Sequence, residues 1–184
     1  MRVLGIDPGS ETTGWGVVEG DRNGQRYSLV EYGIVKLSSS ASFSARLLKI
    51  SRGLEEVIDR LKPDACAIEE AFYSVNPKVT LKLGQVRGVA LLAAESAALE
   101  IGEYSPRRVK QTIAGYGNAE KRQVQEMVRV LLCLRTVPEP HDAADALAVA
   151  ICHFHHAGIE SRLLAAEARA KPNPTVAAAV RRRP

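Results

Sequence analysis

Three strand-like runs crowd into the first 37 residues of this chain, before any helical pattern begins, and that order leaves few architectures open. VLGID is a short apolar run, GWGVVE alternates, and YSLVEYGIVKL follows an Asp-Arg-Asn-Gly turn signal. Three strands joined this closely predict an antiparallel meander, whose faces must then be covered. The cover begins at once: Phe43, Leu47, Ile50, Leu54, Val57, Ile58 and Leu61 recur at three- and four-residue steps, the apolar stripe of a helix lying on a sheet. Lys62-Pro63 ends that helix.

After it, strands and helices alternate. Ala65–Ile68 predicts a short buried strand running into Glu69. Residues 77–100 predict a second helix, with Pro77 near its start and Gly102 just past its end. From Val89 to Leu99 that helix is apolar on nearly every face, more than one sheet contact requires, which predicts a second buried contact such as a partner subunit. Residues 103–105 predict a last short strand, and three helical stretches follow near 106–114, 119–134 and 141–157. The whole predicts one five-stranded mixed α/β sheet with helices on both faces.

Residues 1–157 form the expected domain. Residues 158–184 turn Ala-, Arg- and Pro-rich and are expected to be a mostly disordered basic tail. That tail also explains the formal net charge of +4. It holds six basic residues and two acidic ones, leaving the body with 19 of each sign, so bulk charge does not identify a partner. With no apolar run of the roughly 18 residues a span requires and no signal-peptide pattern, a cytoplasmic protein is expected. Cys66, Cys133 and Cys152 lack paired spacing and are expected to be buried thiols, not disulfides or zinc ligands.

The chemistry is carried by acids. Asp7 ends an apolar strand and is followed by Pro-Gly-Ser, and Glu69 ends another apolar run. If those strands are neighbours, two carboxylates meet at one edge of the sheet and call for a cation between them. Oxygen ligands favour a hard ion such as Mg²⁺ or Mn²⁺. In HDAADALA, Asp142 and Asp145 are three apart, on one face of a helix's first turn. Taken singly, Asp7 is explained as a turn former, Glu69 and Glu70 as a solvated strand end, and Asp142 as a helix cap. A cap does not account for Asp145 among alanines. Residues 104–129 hold six basic residues against two acids, the best phosphate-binding patch in the body, and the loop Gly115-Tyr116-Gly117-Asn118 within it offers amides ahead of a helix. The bland alternative there is a solvated helix face. Phe72-Tyr73 follows the Glu69 strand, where an aromatic pair wedges into opened base pairs or simply packs in the core.

These motifs in this order, LGIDPGS with TGWGVV, AIEE followed by Phe72, LKLGQVRG, VKQTIAGYGNAEK with QVQEMV, and DAADALAVAICH, resemble the RuvC family of crossover-junction endodeoxyribonucleases over residues 1 to about 157. The resemblance implies a ribonuclease-H-like fold and a homodimer that resolves Holliday junctions by two symmetric nicks. It implies four catalytic, metal-holding acids at Asp7, Glu69, Asp142 and Asp145, with two Mg²⁺ or Mn²⁺ ions per site. It also implies a junction-centre aromatic at Phe72, functional lysines at Lys110 and Lys121, and a branch-migration motor of the RuvA and RuvB type as partner. The candidate DNA contacts are Phe72, Tyr73, Arg87, Arg107, Lys110, Gln111, Asn118 and Lys121. His141 is expected to be a loop residue, not a ligand.

Other readings meet specific obstacles. The stretch GIDPGSETTGWGVV also resembles the first phosphate loop of sugar kinases and actin-like ATPases, but those need two lobes, and 184 residues leave no room for both. A non-catalytic junction-binding module and a ribonuclease acting on RNA–DNA hybrids remain as alternatives that the acids alone do not separate.

Overall fold

The computed structural model describes residues 1–21, 26–70 and 76–170. Strands β1 (Arg2–Asp7), β2 (Thr12–Gly20) and β3 (Tyr27–Lys36) form the antiparallel meander. Helix α1 (Phe43–Leu61) then returns the chain so that β4 (Ala65–Glu69) pairs in parallel with β1. Helix α2 (Pro77–Ser96) leads to β5 (Glu100–Tyr104), and the sheet order is β3-β2-β1-β4-β5. Helices α3 (Pro106–Ala114), α4 (Lys121–Leu131) and α5 (His141–Ala170) complete the described elements.

The two-residue period of the strands divides the core between the faces. Leu4, Ile6, Trp15, Val17, Cys66 and Ile68 point one way and pack under α1 and α2. Val3, Val18, Ala65 and Ala67 point the other way, onto α3, α4 and α5. Helix α5 accounts for its own composition: from Ala143 to Phe154 nearly every side chain is buried, because the sheet lies below it and α3 and α4 flank it. Small residues on α5 meet small residues on the sheet. A Cβ at Gly5 would lie 2.0 Å from the Ala146 carbonyl oxygen, and one at Gly14 the same distance from that of Asp142. The bare backbones of β1 and β2 therefore let the start of α5 sit directly on the strand that ends in Asp7.

Several expectations change in detail. The strand expected at residues 103–105 begins at Glu100, and α2 stops at Ser96, short of Leu99. Helix α5 does not end near 157 but continues through Gly158 to Ala170, where a disordered tail was expected; IESRLLAAEARA contains strong helix formers and no proline. Residues 171–184 of that tail lie outside the described residues. Cys66 and Cys152 are buried, and burial pushes their thiols up to about 12 and about 11. Cys133 is exposed instead, because it sits just past α4 in the left-handed turn that ends it, at φ 53°.

Candidate metal centre

Parallel pairing of β1 with β4 puts Ile6 opposite Ile68, so Asp7 and Glu69 leave the sheet side by side at the same end. Strand parity sends both toward the face covered by α5: Asp7 follows Val3 and Gly5, and Glu69 follows Ala65 and Ala67. Asp142 and Asp145, in the first turns of α5, come down over them from Gly14, which pairs with Asp7 across β1 and β2. Carboxylate oxygens of Asp7, Asp142 and Asp145 all lie within 4.8 Å of one another. Glu69 lies beside this trio, close enough to Asp7 for each carboxyl to shift the other's titration. Glu70 is exposed, and its amide donates to the Tyr104 carbonyl at 2.9 Å.

The electrostatics are those of acids held together without enough compensation. Burial, then the charge of Asp145, raises Asp7 to about 6. Glu69 is raised as well, first by burial and then by the charge of Asp7. Both carboxyls are thus held above the usual carboxylate range by burial and by the charges of their neighbours. A cation sits against the cluster: Lys121 Nζ is 2.6 Å from Asp145 Oδ2. Burial opposes charge on that ammonium, yet Asp145, Asp142 and Asp7 together hold its pKa above the ordinary lysine value. An oxygen-only donor set, close-spaced and deficient in positive charge, fits hard divalent ions.

A cleft of about 160 Å³ opens beside the acids, and Glu69, Asp145, Lys110 and Lys121 line it together with apolar Val109 and Val124. The basic segment resolves into separate parts. Lys110 and Lys121 face this cleft, and Arg107, Gln111, Asn118 and Arg122 are exposed nearby on α3, α4 and their connection. Arg108 turns away, donating from Nε to His156 Nε2 at 3.1 Å, and Arg129 is paired with Glu126 at 2.8 Å. The loop amides ahead of α4 are less open than the sequence implies. Gln123 Oε1 accepts from the Glu120 amide at 2.9 Å and from the Tyr116 hydroxyl at 2.7 Å, and Glu120 itself caps the helix. Arg87 forms an ion pair with Glu103 on the opposite face of the sheet from the acids. His141 is exposed on a shallow surface with Glu139 and Pro140. Phe72 and Tyr73 lie outside the described residues.

Sequence reasoning missed the platform beneath the acids. Gly14 has no functional group, and its signal is only the spacing TGWG opposite LGID, which acquires meaning once β1 and β2 are paired in register.

Known proteins resemble the chain along most of its length. The family model described as crossover junction endodeoxyribonuclease RuvC matches residues 3–153. A crossover junction endodeoxyribonuclease RuvC from Chloroflexus aggregans is 53% identical over 157 residues, covering 85% of this chain and 94% of the relative. One from Koribacter versatilis is 50% identical over 163 residues, 89% of this chain and 98% of the relative. Thermus thermophilus RuvC in complex with a Holliday junction substrate superposes with a TM-score of 0.80 at 37% identity, covering 87% of this chain and 96% of that one. A yeast mitochondrial Holliday junction resolvase, at 15% identity and a TM-score of 0.63, shares the fold.

Proposed function

Because the chain belongs to the RuvC family of crossover junction endodeoxyribonucleases, we propose that it resolves Holliday junctions by paired symmetric nicks at the four-acid site. The observation that carries this reading is the convergence of Asp7, Asp142 and Asp145 within 4.8 Å, beside Glu69 and a lysine-lined cleft. Asp7, Glu69, Asp142 and Asp145 would hold two Mg²⁺ or Mn²⁺ ions. When bound, such ions supply activation of water and charge neutralisation for phosphodiester hydrolysis. The chain's own residues do the rest. Four carboxylates fix the donor geometry, because two are anchored at strand ends and two on a helix seated against those strands. Lys110 and Lys121 hold a backbone phosphate at the cleft, and the exposed Arg107, Gln111, Asn118 and Arg122 extend that contact along the strand. No nucleophilic side chain is required.

The direct test is a labelled synthetic four-way junction incubated with the protein and Mg²⁺ or Mn²⁺. Paired nicks at symmetric positions are expected, and none on an RNA–DNA hybrid of matched sequence. Binding without nicking would instead favour the non-catalytic module. Replacing Lys121 with Met should weaken junction binding and lower the slope of log affinity against log salt by about one phosphate contact. An unchanged slope would remove Lys121 from the DNA contacts.

A four-way junction has two-fold symmetry, so a two-fold dimer offers equivalent sites to equivalent strands. Helix α2 supplies the surface for it. Leu81 and Leu92 are 68% and 64% exposed, and Gly84 and Gly88 between them have open space where a Cβ would be. Positions 81, 84, 88 and 92 share one helix face, a small-residue groove between two leucines into which a partner helix can pack closely. Leu92→Arg is therefore expected to shift the protein from dimer to monomer in sedimentation at micromolar concentration, with secondary structure retained. Association with a branch-migration motor, and action on DNA in the cytoplasm, belong to the same reading. No helix among the described residues is long and apolar enough to cross a membrane.

A further inference from the structure

On the sheet face away from the acids, a groove of about 470 Å³ runs between the edge strand β3 and helix α1. Its floor is apolar, formed by Trp15, Val35 and Val57. Its rim is basic: Lys36 stands on β3, and Lys49, Arg52 and Arg60 on one stripe of α1. Two acids oppose these four cations. Glu31 is paired with Arg60 at 2.5 Å, and Glu56 lies near the same guanidinium. Among the described residues, Lys36, Lys49 and Arg52 form no ion pair, and all three are exposed. Among the described residues β3 pairs with β2 alone, at one end of the sheet order, so one edge of a ten-residue strand lies beside the groove.

We propose that this groove docks an extended segment of a partner protein rich in Asp, Glu and large apolar residues, laid along the free edge of β3. Three features fit one occupant. The strand edge offers unpaired backbone groups to an added strand. The apolar floor takes side chains that a phosphate backbone does not have. The excess of cations along the rim complements carboxylates and steers their approach. From Lys49 to Arg60 the stripe spans about 16 Å of helix, the length of about five extended residues. A short linear segment suffices, and neither Lys49 nor Arg52 belongs to the acid site on the other face.

Trp15 is the chain's one tryptophan, and it lies in the groove floor with Arg60 over its ring at 6.0 Å, so occupancy is readable without a label. The probe is a short synthetic peptide of Asp, Glu, Phe and Val, titrated into the 184-residue protein and compared with the same peptide carrying Lys for each acid. Saturable binding of the acidic peptide is expected, with a shift in Trp15 emission and affinity falling as salt rises. The double variant Lys49→Glu, Arg52→Glu should weaken it by about tenfold or more. That variant should keep the native circular dichroism spectrum and wild-type junction cleavage. Absence of saturable binding, or binding indifferent to the charge reversal, would overturn the proposal. So would a loss of junction affinity in the double variant, which would assign the groove to DNA.

Discussion

Asp7→Asn is expected to reduce junction cleavage by on the order of 10³-fold or more, about 4 kcal/mol of transition-state stabilisation, while leaving the protein folded and junction binding intact. The substitution keeps the shape of the side chain and removes only its charge, at the position where β1, β4 and α5 converge. It should also reveal what the carboxylate costs the fold. Asp7 is raised from 3.8 to about 6 in the folded chain, chiefly by burial and then by Asp145. A carboxyl with a raised folded pKa binds its proton more tightly folded than unfolded. Its contribution to stability is therefore greatest at acidic pH and is lost as pH climbs through the folded value. In the metal-free state, the melting temperature of wild type should fall relative to Asp7→Asn between about pH 4 and pH 7, with the variant the more stable at the upper end. Adding Mg²⁺ or Mn²⁺ should raise wild type strongly and the variant weakly, since bound cation stabilises only the state that holds it. If the variant were less stable than wild type at pH 8 without metal, the account of unrelieved repulsion in the acid cluster would fail.

The contrast between residues legible in the sequence and those that were not has a physical basis. Asp7 and Glu69 were readable because an acid ending an apolar strand breaks the local pattern, and Asp145 because an acid among alanines breaks a helical one. Their convergence needed one more fact, that β1 and β4 are parallel neighbours, which local pattern does not specify. Helix lengths drifted where composition and packing disagree. Gly158 reads as an end, but the residues beyond it favour helix, and the helix continues. Charge was the least legible feature, since a run of arginines says nothing about what each one reaches. Arg108 turns back to His156, Arg87 to Glu103, and Arg129 to Glu126, while Lys110 and Lys121 flank the acids. A sequence count of cations therefore overstates the phosphate-facing charge. The positions that retain it are those whose side chains line the cleft beside the acids, Lys121 among them even though it pairs with Asp145.

Gly14→Ala separates the geometry of the site from its chemistry, because it alters no functional group. The added Cβ would lie 2.0 Å from the carbonyl oxygen of Asp142 and 2.4 Å from its carbonyl carbon. Both are backbone atoms at the start of α5, so no side chain can swing aside and the helix must lift from β2. Overpacking of this kind costs roughly 1–3 kcal/mol, and more where backbone must move. The functional loss should be larger than the stability loss implies. Asp142 and Asp145 travel with that first turn, whereas Asp7 and Glu69 stay with the sheet, so the shift opens the cluster across its middle. A displacement of about 1 Å in a catalytic constellation costs on the order of 10²-fold in rate, and cleavage should fall by about that much with metal affinity reduced in parallel. Gly5→Ala is the control. Its Cβ would strike the Ala146 carbonyl oxygen at 2.0 Å and the Ala150 amide nitrogen at 2.8 Å, further along the same helix. That substitution should lower the melting temperature at least as much as Gly14→Ala while leaving the surviving folded protein closer to wild type in metal affinity. If the two variants lost metal affinity equally for equal loss of stability, the glycine platform would be a packing device only. A disproportionate loss at Gly14 would mean that the distance between the sheet acids and the helix acids is set by a residue with no side chain.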